Sequence, residues 1–200
     1  MVAMPRPKNP TIRETRQQQI LLAARTIFAT QGLAEARMDD VAQRCGLSKG
    51  TLYLYYKNKD DLIAGLLEST FNDLLIQLQA LVDLEHSTKE RLLIMTQQMI
   101  AYLQQDTSTL NIAYEFYAVA SRQPAVRAFL KDYFAAYRRI LATLLEQGIT
   151  RCEYPVMDTD QTATLLIAVL EGLTLLWFTA PDSIHLDILL PQAIQHIFST

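Results

Sequence analysis

The side chains of this 200-residue chain best equipped for chemistry are crowded into a short N-terminal stretch: Arg37, Met38, Arg44, Lys49, Gly50, Thr51, Tyr53, Tyr55 and Lys59. Their chemistry is non-covalent. Guanidinium and ammonium groups hold phosphates, hydroxyls donate to phosphates or base edges, and a glycine lets a backbone come close. Nothing comparable points to bond-making. His86, His185 and His196 have no metal-ligand spacing, no Glu-x-x-His pair occurs, and Cys45 and Cys152 are far apart. The sequence therefore predicts no catalytic residue, no metal and no cofactor, and an enzyme built on a helical bundle is the disfavoured reading.

The elements that must position these groups lie between Asp39 and Leu62, in DDVAQRCGLSKGTLYLYYKNKDDL. Val41 and Ala42 begin the apolar stripe of a short helix, Gly46 supplies a turn that residues with a Cβ enter at a cost, and Leu47 plugs the corner. Ser48 can cap a second helix, with Leu52 facing inward and Lys49, Thr51, Tyr53 and Tyr55 outward. That is a helix-turn-helix, whose second helix fits the major groove of duplex DNA. Lys49 and Thr51 can reach base edges from its first turn, and Gly50 removes a Cβ that would hold the backbone away. Tyr53 and Tyr55 suit phosphate oxygens or, for Tyr53, a thymine methyl. Lys59 puts an ammonium beside the free N–H groups opening the next helix. Arg37 is a further phosphate contact and Arg44 a phosphate or guanine contact, and Tyr56 packs inward.

The string Gly46-Leu47-Ser48-Lys49-Gly50-Thr51-Leu52-Tyr53, followed by Tyr55-Tyr56-Lys57-Asn58-Lys59 and Leu62, resembles the DNA-binding signature of the TetR family of bacterial transcriptional regulators. Ile20, Ala23, Ala24, Phe28 and Gly32 are similar to that family's first helix, so the resemblance covers residues 12 to 65. It implies the same DNA-contact roles at these positions, a homodimer on a palindromic operator, release by a small molecule, and repression as the commoner outcome. One departure stands out: Arg37 and Met38 occupy the start of the second helix, where Ser or Thr is common, so capping there is weakened.

Half of the chain is apolar and only 6 Gly and 7 Pro interrupt it. The expectation is an all-α protein of about nine helices, a three-helix head on a larger helical body, with a flexible basic arm at 1–10, a DNA-binding domain at 11–57 and a ligand-binding and dimerisation domain at 58–200. The net charge of -3 hides a division: residues 1–60 hold ten basic and five acidic residues, and the other 140 hold eight and sixteen. A basic head on an acidic body fits a polyanion-binding unit joined to something that does not touch the polyanion. Reduced cysteines and the lack of an apolar signal segment after the first methionine point to the cytoplasm.

Helices are expected over about 12–31, 38–45, 49–55, 58–81, 87–105, 109–121, 124 to just before Gly148, and 158–179, with a last one capped by Asp187 and Pro191 in its first turn. The segment Ala163–Ala180 is apolar enough to be considered as a membrane span, but Glu171 and Gly172 at its centre and the absence of flanking basic anchors argue for a buried or interfacial helix and no membrane. Leu165, Val169, Gly172 and Leu176 lie on one side of it, with Leu166, Leu170, Leu173 and Trp177 on the next. Of these, Leu165, Val169, Gly172, Leu173 and Leu176 are expected at a homodimer interface formed with the last helix. For an effector chamber the candidates are Met95, Met99, Tyr102, Tyr114, Glu115, Tyr117, Tyr133, Tyr137 and Trp177. Glu115 would face inward to pair with a cation, so the effector is expected to be apolar or cationic. The alternative is a ligand-independent architectural DNA-binding protein.

Overall fold

Local side-chain caps open the helices at the places the sequence marks. In the computed structural model, which describes residues 11–105 and 107–198, Thr11 and Glu14 form a reciprocal capping box ahead of α1 (Ile12–Glu35), with bonds of 2.6 and 3.2 Å. The basic arm expected at 1–10 lies outside the described residues. Helix α2 is Met38–Arg44 and α3 is Lys49–Tyr55. Helix α4 (Lys59–Val82) starts behind Asn58, whose side-chain oxygen accepts from the Asp61 N–H at 2.8 Å. Five more follow: α5 (Thr88–Gln105), α6 (Ser108–Ala120), α7 (Pro124–Thr150), α8 (Thr159–Thr179) and α9 (Leu186–Ile197). There is no strand among the described residues.

The chain divides into two compact units between Ser69 and Thr70, inside α4, whereas the sequence reading set the division at 57/58. The N-terminal unit buries Ile20, Ala24, Phe28, Val41, Leu52, Leu62 and Leu66. Helical geometry in α1 breaks at Gly32, where φ is 79° and ψ 157°, at the stop the sequence marks, and a short further turn to Glu35 brings Leu33 into the same core.

In the C-terminal unit α7 packs on α6 and α8, and α9 lies against α5 and α8. The core holds Leu92, Ile112, Phe116, Leu141, Leu144 and Leu166. A polar knot closes one end. The buried Arg91 donates to the last carbonyls of α4, at 3.4 Å to Leu81 and 3.1 Å to Val82, and also to Gln147 and Thr88. The Glu153 carboxylate accepts from the Thr88 N–H at 2.6 Å.

Two helix ends differ from expectation. Helix α7 runs two residues past the sequence signal at Gly148 and ends at Thr150. Gly148 is required for closeness, not for a turn: a Cβ there would collide with the Tyr154 hydroxyl and lie 2.6 Å from Thr88 Oγ1. The cap of α9 is His185, not Asp187, which sits in the first turn; Pro191 lies inside that helix, beyond its first turn.

Candidate functional site

The two short helices of the head are joined by a Schellman turn. Gly46 takes φ +66°, its N–H donates to the Gln43 carbonyl at 3.2 Å, and the Leu47 N–H reaches back to the Ala42 carbonyl at 2.9 Å. Ser48 then caps α3, its Oγ accepting from the Thr51 N–H at 3.1 Å and lying 2.8 Å from the Thr51 hydroxyl. At the start of α2 the cap is only half made: the Arg37 N–H donates to the Asp40 carboxylate at 3.3 Å, and the Arg37 side chain caps nothing.

This geometry brings Arg37, Lys49, Tyr53 and Lys59 around one shallow cleft of about 490 Å³. Met38 also borders the cleft but is buried; its predicted presentation to DNA is thereby corrected to a core role, since the apolar side chain gains more from burial in the head than from exposure to water. Gly50, Arg44 and Arg37 are exposed, and Thr51, Tyr55 and Lys59 are half-buried. Lys49 is held by Asp39 at 2.8 Å, and the bonded carboxylate keeps its ammonium above the usual lysine range. Lys59 Nζ donates to the Ala34 carbonyl at 2.7 Å, so this ammonium also ties the start of α4 to the end of α1. Leu54, 79% exposed on α3, was not among the sequence candidates. Its signal was present: an apolar residue at an outward position of a reading helix.

The body redistributes the chamber candidates. Tyr114, Tyr117, Tyr133 and Tyr137 gather with Phe71 and Phe134, the Phe71 and Tyr133 rings at 4.6 Å and the Tyr117 and Phe134 rings at 6.0 Å. Met95 is buried and Met99 half-buried on α5. Tyr102 is on the surface with its hydroxyl against Thr109, and Trp177 lines a separate small cleft with Ile100, Leu103 and His185. The nine do not share one cavity. Nor is Glu115 the carboxylate at the tyrosines. That place belongs to Glu171 on α8, whose Oε2 accepts from the Tyr117 hydroxyl at 3.2 Å. Desolvation raises the Glu171 pKa, and burial beside that carboxylate pushes the Tyr114 hydroxyl up to about 12 and those of Tyr117, Tyr133 and Tyr137 further.

Helix α8 turns Ala163, Leu166, Ile167, Leu170 and Thr174 inward. On the other side Leu165 and Leu176 are 61% and 51% exposed, Val169 and Leu173 are half-buried, and a Cβ at Gly172 would meet nothing within 4 Å. By length and composition α8 is apolar enough to cross a membrane.

A basic helix-turn-helix head on an all-helical body defines a DNA-binding transcriptional regulator. The sequence pattern of bacterial regulatory proteins of the tetR family matches residues 20–66, and that of the C-terminal part of BetI-type transcriptional repressors matches residues 88–197. The chain belongs to the TetR family. It is 24% identical over 170 residues to the HTH-type transcriptional regulator YfiR of Bacillus subtilis, covering 80% of this chain and 79% of that one. A transcriptional regulator from Pseudomonas aeruginosa PAO1 has the same fold, with a TM-score of 0.82 at 19% identity over 94% of this chain and 91% of its own. So does one from Saccharomonospora viridis solved in complex with choline, with a TM-score of 0.79 at 18% identity over 92% and 96%.

Proposed function

We propose that the protein is a cytoplasmic homodimeric repressor that holds a palindromic operator with two heads and releases it when a small molecule occupies the body. The observation that carries the DNA reading is the convergence of Arg37, Lys49, Tyr53 and Lys59 on one exposed cleft beside the first turn of α3. Lys49 and Thr51 reach base edges, Arg37, Arg44, Tyr55 and Lys59 hold phosphates, Gly50 lets the backbone close on the groove wall, and Tyr53 and Leu54 offer apolar contact to thymine methyls. One head reads too few base pairs for an operator, and two-fold pairing doubles the site.

The dimer reading rests on the outward row Leu165, Val169, Gly172 and Leu176, with Leu175 of the same helix and Ile188 of α9 also large and exposed. Such a row on one helix is more apolar than a solvated face requires. For effector release the support is α4 itself, one helix that gives Leu62 and Leu66 to the head's core and Phe71 and Leu78 to the body's. A ligand preferring one placement of α4 shifts the spacing of the paired heads.

Selection of bound sequences from random duplexes tests the reading. The expected product is an inverted repeat with half-sites about one DNA turn apart. Binding with a steep salt dependence and no enriched sequence would instead establish the architectural alternative.

A further inference from the structure

The body contains a carboxylate that its own packing does not need. Glu171 is half-buried on α8, in the otherwise uncharged run Thr164–Thr174, and among the described residues its hydrogen bond comes from the Tyr117 hydroxyl. Among the described residues no Lys, Arg or His forms an ion pair with it. Withdrawing a carboxylate from water without a counter-charge is costly, and glutamine of the same shape would accept the same bond without that cost. Beside it the Tyr114 hydroxyl is buried and makes no hydrogen bond among the described residues.

Glu171 also opens on a groove of about 560 Å³ between α7 and α8, walled by Phe134, Ala135, Ile167 and Ala168, with Lys131 and Arg138 at its rim. Arg138 is already paired with Asp160 at 3.6 Å. A single carboxylate on an apolar wall is a poor cage for a metal ion, which needs several oxygen or nitrogen ligands, and no such cluster occurs among the described residues. It repels an anion. It suits a cation that carries its own apolar surface, because the face of an aromatic ring and a desolvated carboxylate attract the same charge.

We propose that Glu171 is the charge anchor of the effector site and that the effector is a monocationic organic amine or quaternary ammonium ion. Its charged centre sits against the Glu171 carboxylate and the rings of Tyr117 and Phe134, and its apolar part lies along the α7–α8 groove. The two basic residues at the rim disfavour a second positive charge on the ligand. The biological use of this site rests on the effector-release reading above, but its occupancy does not.

The test uses the full chain without DNA and three probes, choline, tetraethylammonium and benzyltrimethylammonium, with 3,3-dimethylbutan-1-ol as the neutral counterpart of choline. Titration calorimetry and melting are expected to show at least one cation binding, and choline at least tenfold tighter than its neutral counterpart. Glu171→Gln, which keeps shape and fold, is expected to weaken the cations at least tenfold and leave the neutral alcohol unchanged. Ala168→Leu, which fills the groove, is expected to weaken all of them. No cation binding to the unaltered protein, or equal binding to Glu171→Gln, overturns the assignment. A parallel operator-release assay separates the two readings: a cation that binds through Glu171 yet leaves DNA affinity unchanged supports the site and counts against effector release by it.

Discussion

Gly50 and Glu171 are residues whose types the protein's own packing does not demand, and each invites a test at that scale. A Cβ on Gly50 would find only Ser48 Oγ, at 4.0 Å, so nothing inside the head excludes alanine. Alanine is the better helix former, and Gly50→Ala is expected to raise stability by roughly 0.5–1 kcal/mol in a melting experiment. The same methyl projects where DNA must approach, so operator affinity is expected to fall at least tenfold in a binding titration. Undiminished affinity would show that the backbone at Gly50 does not approach the duplex closely. Glu171 predicts a pH dependence with a definite sign. Its carboxyl is raised by desolvation, so the fold favours the protonated form. The stability this group contributes is present below the ordinary carboxylate range, near 4.3 for glutamate, and is lost as pH rises through the raised value. Glu171→Gln is therefore expected to stabilise the ligand-free protein by about 1 kcal/mol at pH 8 and by little at pH 4, measured by denaturant unfolding at both values.

At the scale of elements, caps were readable and the end of α7 was not. Thr11 with Glu14, Ser48 with Thr51, Ser87 with Glu90 and Asp158 with Gln161 all bond across three residues, a local code that needs no knowledge of the fold. Gly148 read as a stop because glycine so often ends helices. The actual end is a Schellman turn with Cys152 at φ 57°, its N–H on the Ile149 carbonyl and the Glu153 N–H on that of Gly148. A residue with a Cβ is strained there, so Cys152→Gly is expected to stabilise the protein by about 0.5–1 kcal/mol. Gly148→Ala is expected to cost roughly 2–3 kcal/mol, because the methyl must displace Tyr154 and Thr88, whose hydroxyls bond the carbonyls of Leu145 and Leu144. Opposite shifts in chemical unfolding check the pair; a stabilising Gly148→Ala would mean that the turn, not the packing, selects glycine.

For the whole molecule the testable property is pairing. The double change Leu165→Lys with Leu176→Lys places two ammonium groups on the outward face of α8 without touching the buried Leu166, Ile167 and Leu170. A helical monomer by sedimentation and circular dichroism is expected, with binding to a full palindrome reduced to that of a half-site; an unchanged dimer would place the interface elsewhere. The sequence alone carried the helices, the caps of α1, α3, α5 and α8, the turn at Gly46 and the outward Lys49 and Tyr53 of α3, because each depends on contacts among residues a few positions apart. It could not show which carboxylate meets the tyrosines, and it favoured Glu115, since Tyr117 and Glu171 lie 54 positions apart and meet only when α6 and α8 come together across α7. Met38 becoming core, Tyr102 and Trp177 leaving the chamber, and the choice between two equally leucine-rich sides of α8 have the same origin. Periodicity says that a helix has an apolar face, and only the neighbours it packs against decide which apolar residues remain for a ligand or a partner.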